Sequence, residues 1–168
     1  MDYIYFHICA LWHVGNCLSV GAKRTVVYGV VTSWLDYCNL LLFGTKLSNL
    51  KKLQRVRNSL ARTVLKSSWK SSSAPMLTKQ HWLPIPSRIA YKIALLTFKT
   101  RADHELLNIY ELLKDYSSSG CLISVSESLL IKPVFPSSAA MSSFSYAAPS
   151  VWNNLNVSTR QASSTESF

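Results

Sequence analysis

Glycine and acidic residues are both scarce in this chain, and each shortage restricts what the chain does. The 168 residues include five glycines and eight Asp or Glu, against 18 Lys or Arg. Five scattered glycines cannot build a glycine-rich phosphate loop, and no G-x-S-x-G segment presents a serine nucleophile. The shortage of acids leaves a net charge of +10. The sequence therefore gives no support to an autonomous enzyme and points to an anionic partner.

Secretion signals are also missing. The N-terminus carries Asp2 where a signal peptide would be basic, and no A-x-A cleavage site follows. We expect an intracellular chain, nuclear or cytoplasmic, that is not secreted. The four cysteines are then free thiols in a reducing compartment rather than two disulfides. They are Cys9, Cys17, Cys38 and Cys121.

The segment from Thr25 to Phe43 is apolar enough to raise the question of a membrane span. Asp36 and Asn39 would make such a span costly, and Arg24 lies next to it. We expect a buried helix here and no membrane partner.

Positive charge is concentrated in the middle of the chain. Residues 36–70 hold eight Lys or Arg and one Asp, and residues 71–100 add four more cations without an acid. Residues 101–120 carry a net charge of −2, and residues 121–168 are neutral. A continuous basic block of this kind is typical of proteins that bind RNA, DNA or an anionic membrane surface.

The centre of this block, Lys46–Lys66, has the pattern of an amphipathic helix. Its apolar arc consists of Leu47, Leu50, Leu53, Val56, Leu60, Ala61 and Val64. Its opposite face gathers the five predicted nucleic-acid-binding residues, Lys51, Lys52, Arg55, Arg62 and Lys66. Arg57 falls on the apolar arc, where we expect its stem to pack and its guanidinium to reach the rim. Lys23 and Lys79 lie outside this face.

Two interpretations of the basic face remain open. Long basic side chains often serve only to keep a helix soluble. A helix built for solvation usually alternates the sign of its charges, however, and this stretch contains no Asp or Glu. Uncompensated cations on one side repel one another, and an anionic partner would relieve that repulsion.

The rest of the chain predicts a mainly α fold, a small helical bundle with a Ser-rich, partly irregular C-terminal extension that contains at most a short β-hairpin. Residues 3–17 suit a helix that ends at Gly15-Asn16, and Ser19 would cap a second helix from Val20 to Phe43. After the basic helix, Ser87 would cap a fourth helix, and Asp103 a fifth that runs to Tyr116.

The C-terminal part has weaker signals. CLISVSESLLIKPVF suits one or two strands, FSYAAPSVWNNL a turn with a packed Trp, and residues 156–168 a frayed polar end. We expect four segments: a thumb-like helical segment at 1–68 that contains the basic helix 46–66, a Ser/Pro-rich loop and elbow at 69–86, a helical pair at 87–116, and the irregular extension at 117–168.

Two clusters invite a chemical interpretation. His7, Cys9, His13 and Cys17 are potential zinc ligands, but their spacing matches no zinc finger or knuckle, and apolar neighbours favour buried thiols. His81-Trp82 has no nucleophile or carboxylate near it in the sequence, and the flanking prolines favour a structural elbow. We expect no metal, no cofactor and no small-molecule substrate.

Four ordered motifs carry a resemblance to a known family. SWLDYCNLLLFG, KLQRVRNSLAR, QHWLPIPSRIAYKIALLTFK and FSYAAPSVWNNL resemble the C-terminal portions of reverse transcriptases from non-LTR (LINE-type) retrotransposons of the jockey and chicken-repeat kind. The resemblance extends from about Phe6 to Arg160. It implies the thumb of an RNA-directed DNA polymerase and the segment beyond it, and a thumb holds the primer–template backbone.

The same resemblance implies a truncated chain without catalysis. In this family the catalytic carboxylates lie in an upstream palm domain, whereas no two acids are adjacent here and none lies in an aromatic-x-Asp-Asp turn. Several landmark positions depart from the family pattern. Trp34, Gly120, Ile123 and Ser142 replace arginines, and Leu106 and Asn156 replace prolines. The sequence indicates a non-catalytic and decaying fragment that binds RNA or DNA backbone electrostatically; the alternative is a structural or interaction protein, or a non-functional relic.

Overall fold

The computed structural model describes residues 2–15, 17–37, 39–103, 107–117, 128–137 and 139–168, and in these ranges the chain is mainly helical, as predicted. The helices are α1 (Asp2–Val14), α2 (Val20–Val27), α3 (Ser33–Asp36), α4 (Leu47–Leu65), α5 (Ala74–Lys79), α6 (Ile85–Asp103), α7 (Leu107–Tyr110), α8 (Phe144–Trp152) and α9 (Val157–Arg160). A π-helical turn covers Tyr28–Thr32, and 3-10 turns cover Asn39–Leu42 and Ala140–Ser142. The predicted β-hairpin is not found within the described ranges, where Asp115 and Leu130 form an isolated antiparallel bridge. Residues 118–127, which supplied part of that prediction, lie outside the described residues.

The chain divides into two compact units. The first unit comprises residues 1–39 and 45–88, and the second comprises residues 40–44 and 89–168. These boundaries cut across the four segments expected from the sequence, and α6 contributes residues to both units.

In the first unit, α1, α2 and α5 all pack against α4. The core is a continuous cluster of buried side chains around the C-terminal half of α4. These side chains are mostly aliphatic, and the cluster also includes Trp82. From the predicted apolar arc, the buried members are Val56, Leu60, Ala61 and Val64. Leu47 is 62% exposed, so the arc is not buried over the first turn of α4. Burial of its last three turns therefore fixes which side of α4 faces solvent.

The second predicted helix is shorter than expected. Ser19 caps it as predicted, since its Oγ accepts the N–H of Ala22 at 3.2 Å. The π-helical turn then interrupts the α-helical register, the hydroxyl of Ser33 donates to the Gly29 carbonyl at 2.9 Å, and the chain leaves the helix at Tyr37 rather than Phe43. The expectation of a buried helix is only partly correct, because Val26 and Tyr28 are exposed. No helix among the described residues is long and apolar enough to cross a bilayer.

The helix that the sequence predicts after Ser87 begins earlier than expected. α6 starts at Ile85 rather than after Ser87, and the N–H of Arg88 bonds to the Pro84 carbonyl at 2.9 Å. Pro86 is tolerated in this first turn because its missing N–H would have no partner inside the helix. Ser87 is therefore not a cap.

The second unit corrects three predictions. The helix expected over 104–116 is reduced to α7, Leu107–Tyr110, with residues 104–106 outside the described ranges. The segment expected to be a turn with a packed Trp is the helix α8, although its Trp152 is buried as expected. The end of the chain is not frayed, because Phe168 stacks on the rings of Phe98 and Trp152.

Candidate nucleic-acid interface

The basic helix α4 has almost the bounds predicted for it. Lys46 and Lys66 flank it as caps, and Gly44, with a φ of +76°, supplies the chain reversal before it. The backbone of Lys66 has the left-handed conformation, with a φ of 50°. Glycine is the residue that usually adopts this conformation at the end of a helix. Its N–H and that of Ser67 satisfy the last carbonyls, including a 3.0 Å bond from Ser67 to Arg62. The helix thus ends at the predicted place.

Of the five predicted binding residues, four are exposed. Lys51, Lys52, Arg55 and Lys66 all present their side chains to solvent. With a rise of 1.5 Å per residue, the distance from Lys51 to Lys66 along the helix axis is about 22 Å. The exposed charge is therefore divided between a group of three at the N-terminal half of α4 and Lys66 at its C-terminal end.

Arg62 has a different role from the one predicted. It is only half-exposed, and its Nε and Nη2 donate to the Ser71 carbonyl at 3.3 and 3.0 Å. Two of its five N–H groups are thus used to hold the loop that follows α4. Arg62 lies on the predicted face but is partly occupied in stabilising the fold.

Arg57 contradicts the expectation that its head reaches the rim. The residue is 1% exposed, and its Nε and Nη2 have no hydrogen-bond partner. Its guanidinium carbon lies 5.3 Å from the centre of the Trp82 ring, which gives it a cation–π contact. Burial, and after it the nearby charge of Arg88, lower the pKa of Arg57 below its ordinary value. Arg57 is a buried cation and does not belong to the exposed basic face of α4.

Lys23 lies outside the basic face, on α2, but close to one member of that face. Lys23 and Lys66 line one pocket at the C-terminal end of α4. The sequence gave no signal for this proximity, since the two lysines are 43 positions apart.

The orientation of α4 is held by polar contacts as well as by its core. The Gln54 side chain accepts the N–H of Ile85 at 2.8 Å and donates to Asn58 at 2.8 Å, which ties α4 to the start of α6. A bidentate ion pair joins Asp36, at the end of α3, to Arg88, in the first turn of α6. The Asp36 carboxylate is thus paired with Arg88 of α6 and also attracts the buried guanidinium of Arg57 on α4.

The two other candidate clusters are the potential zinc ligands near the N-terminus and the His81-Trp82 elbow. Among the described residues, no group of three or more His, Cys, Asp or Glu lies close enough to hold a metal ion. Cys9 and Cys17 are free thiols, but they are exposed rather than buried as expected. In the elbow, Trp82 is buried and His81 is exposed, with a φ of 55°. The elbow thus places the Trp82 ring in the core beside Arg57.

Comparisons with protein-family models, with curated proteins and with solved structures find no match to this chain.

Proposed function

We propose that this chain binds the phosphate backbone of RNA or DNA, without catalysis, through the exposed basic face of α4. The observation that carries the proposal is the group of Lys51, Lys52 and Arg55, which are exposed side by side on a helix that contains no acid. Their mutual repulsion is relieved when phosphates neutralise them and release the counterions of the nucleic acid.

The distribution of charge over the two units supports the same function. The first unit, which contains α4, holds twelve Lys or Arg and two acids, a net charge of +10. The potential of a whole unit, and not only of one helix face, therefore attracts a polyanion.

The resemblance to the thumb of LINE-type reverse transcriptases supports a nucleic-acid backbone as the polyanion. We propose that the chain is a fragment of such an RNA-directed DNA polymerase that acts inside the cell. The genomic sequence directly upstream of the Met1 codon tests this origin. Palm-domain codons there, intact or interrupted, are the expected result, and an unrelated upstream sequence would contradict it.

The binding itself is tested by titrating labelled single-stranded RNA and duplex DNA at several salt concentrations. Four exposed cations predict a slope of log K against log salt of about −3 on single strands and about −3.5 on duplex DNA. Dissociation constants near or above about 1 µM are expected, and sequence should matter little, because contacts to phosphates do not distinguish bases. Failure to bind even at low salt would favour the alternative, a structural or interaction protein or a relic whose cationic face only solvates it.

A further inference from the structure

A small pocket in the first unit lies beside the end of α4, and two lysines line it. Its volume is about 210 Å³, and its lining residues are Trp12, Gly15, Lys23, Thr63 and Lys66. Trp12 and Lys66 are exposed, so the pocket opens at the surface. Gly15 gives Lys23 room to enter, because a Cβ at that position would lie 3.2 Å from the Lys23 Cε.

Within the described residues, the Lys23 ammonium is buried without a counter-charge. The residue is 2% exposed, and its Nζ has no hydrogen-bond partner. None of the ion pairs among the described residues includes Lys23. A buried ammonium without a partner is unfavourable, and a second cation beside it increases the cost.

The neighbouring cation is Lys66. Burial and then the charge and proximity of Lys66 lower the pKa of Lys23 below its ordinary value. The Thr63 hydroxyl, which also lines the pocket, donates to the Ser59 carbonyl at 3.0 Å and accepts no hydrogen bond from the Lys23 ammonium. The pocket therefore brings two lysine ammonium groups together, and a negatively charged group bound between them would relieve their repulsion.

We propose that this pocket binds a single phosphate group between Lys23 and Lys66. A phosphate dianion neutralises both ammonium groups at once, and lysine is a common phosphate ligand. The pocket is smaller than the range of about 300–1,000 Å³ that is usual for organic ligands, so it suits a phosphate group rather than a whole nucleotide. The source of the group is either free phosphate or the terminal phosphate of a nucleic acid.

The site is tested on the full chain by thermal unfolding in sodium phosphate, with sodium chloride at equal ionic strength as the reference. If phosphate binds with a dissociation constant of about 1 mM, a concentration of about 10 mM raises Tm by about 3 °C. K23M and K66M should lose this shift, whereas K79M, which removes an exposed lysine of the same unit, should keep it.

K66M keeps the test decisive if K23M disturbs folding, because Lys66 is exposed. The absence of a shift in the parent chain, or an equal shift in K66M and K79M, would overturn the proposal. Inorganic phosphate is the probe, so the result does not depend on whether α4 binds nucleic acid.

The source of the phosphate group is distinguished with two oligonucleotides of the same sequence, one with and one without a 5′-phosphate. Tighter binding of the phosphorylated strand, by about tenfold and lost in K66M, would assign the pocket to a nucleic-acid terminus. Equal binding of the two strands, together with the Tm shift in inorganic phosphate, would assign it to free phosphate.

Discussion

The two units of this chain differ most in how they use their charge. The first unit carries the whole net charge of +10, whereas the second holds six Lys or Arg and six acids and is neutral. In the second unit, Arg101 pairs with Asp115 at 2.9 Å and donates to the Ser128 carbonyl at 3.1 Å. In the first unit, Lys51, Lys52 and Arg55 are exposed on α4, a helix that contains no acid. Among the described residues, the buried Nζ of Lys23 and the buried Nε and Nη2 of Arg57 have no hydrogen-bond partner.

This contrast distinguishes cations that stabilise the fold from cations that remain available to a binding partner. Arg160 of the second unit, like Arg101, satisfies backbone carbonyls, with bonds of 3.0 and 2.8 Å to Asn153 and Leu155. Such arginines hold the fold together. In the first unit, Arg62 and Arg88 stabilise the fold in a similar way, through the Ser71 carbonyl and the Asp36 carboxylate. Lys51, Lys52 and Arg55, by contrast, are exposed and form none of the ion pairs found among the described residues, which is why we propose a polyanionic partner for them.

The largest expected effect concerns the second unit. Trp152 is 1% exposed, its Nε1 donates to the Ser128 carbonyl at 2.8 Å, and the Arg101 guanidinium lies 5.2 Å from the centre of its ring. W152A should therefore reduce the free energy of unfolding by about 3–5 kcal/mol, measured by urea denaturation.

W69A is the matched control, because Trp69 is 53% exposed. It should cost less than about 1 kcal/mol. If the two variants lose equal stability, the buried Trp152 does not organise the second unit in the way that its contacts indicate.

A smaller effect of opposite sign is expected at Arg57 in the first unit. The Nε and Nη2 of the buried Arg57 guanidinium have no hydrogen-bond partner. Replacing it by an apolar side chain of similar length removes a desolvation cost and forfeits the cation–π contact with Trp82 and the attraction of Asp36. R57M should raise the free energy of unfolding by about 1–2 kcal/mol. R55M, at an exposed position of the same helix, should change it by less than about 0.5 kcal/mol. A loss of stability in R57M would mean that the buried charge is compensated.

The smallest stability effect is a dependence on pH that comes from Lys23. Its pKa is lowered in the folded chain, so between that value and the ordinary 10.5 the unfolded chain binds more protons. Stability should then rise with pH across this window and stay level below it, where both states are protonated. In Tm measured against pH, K23M should lose this part of the rise and K79M should keep it. Parallel profiles for the three proteins would contradict the placement of Lys23.

The predictions from the sequence were most accurate for elements that depend on residues close together in the chain. Gly44 and the uninterrupted period of α4 located the basic helix, and the side chain of Ser19 located the start of α2. α8 was missed because Pro149 and a short apolar run favour a turn, whereas burial of Trp152 stabilises a helix. The packed C-terminus depends on Phe168 reaching Phe98, a contact between residues 70 positions apart that no local pattern reveals.

The candidate site shows the same limit. Periodicity correctly placed Lys51, Lys52 and Arg55 on an exposed face. It could not show that Arg62 would bond to the Ser71 carbonyl or that Lys23 would lie beside Lys66, since both depend on how separate segments pack. The position of Arg57 on the apolar arc was a usable signal, because a residue on that arc is directed toward the core.

The most direct test of the account compares two double variants with the same net charge. K51Q/K52Q removes two exposed cations from α4, and K99Q/K114Q removes two exposed cations from the second unit. The parent and both variants are titrated with the same single-stranded RNA and duplex DNA over a range of salt concentrations. K51Q/K52Q should flatten the slope of log K against log salt by about 1.5, and K99Q/K114Q by less than about 0.5. An equal change in the two variants would show that overall charge, and not the face of α4, binds the nucleic acid.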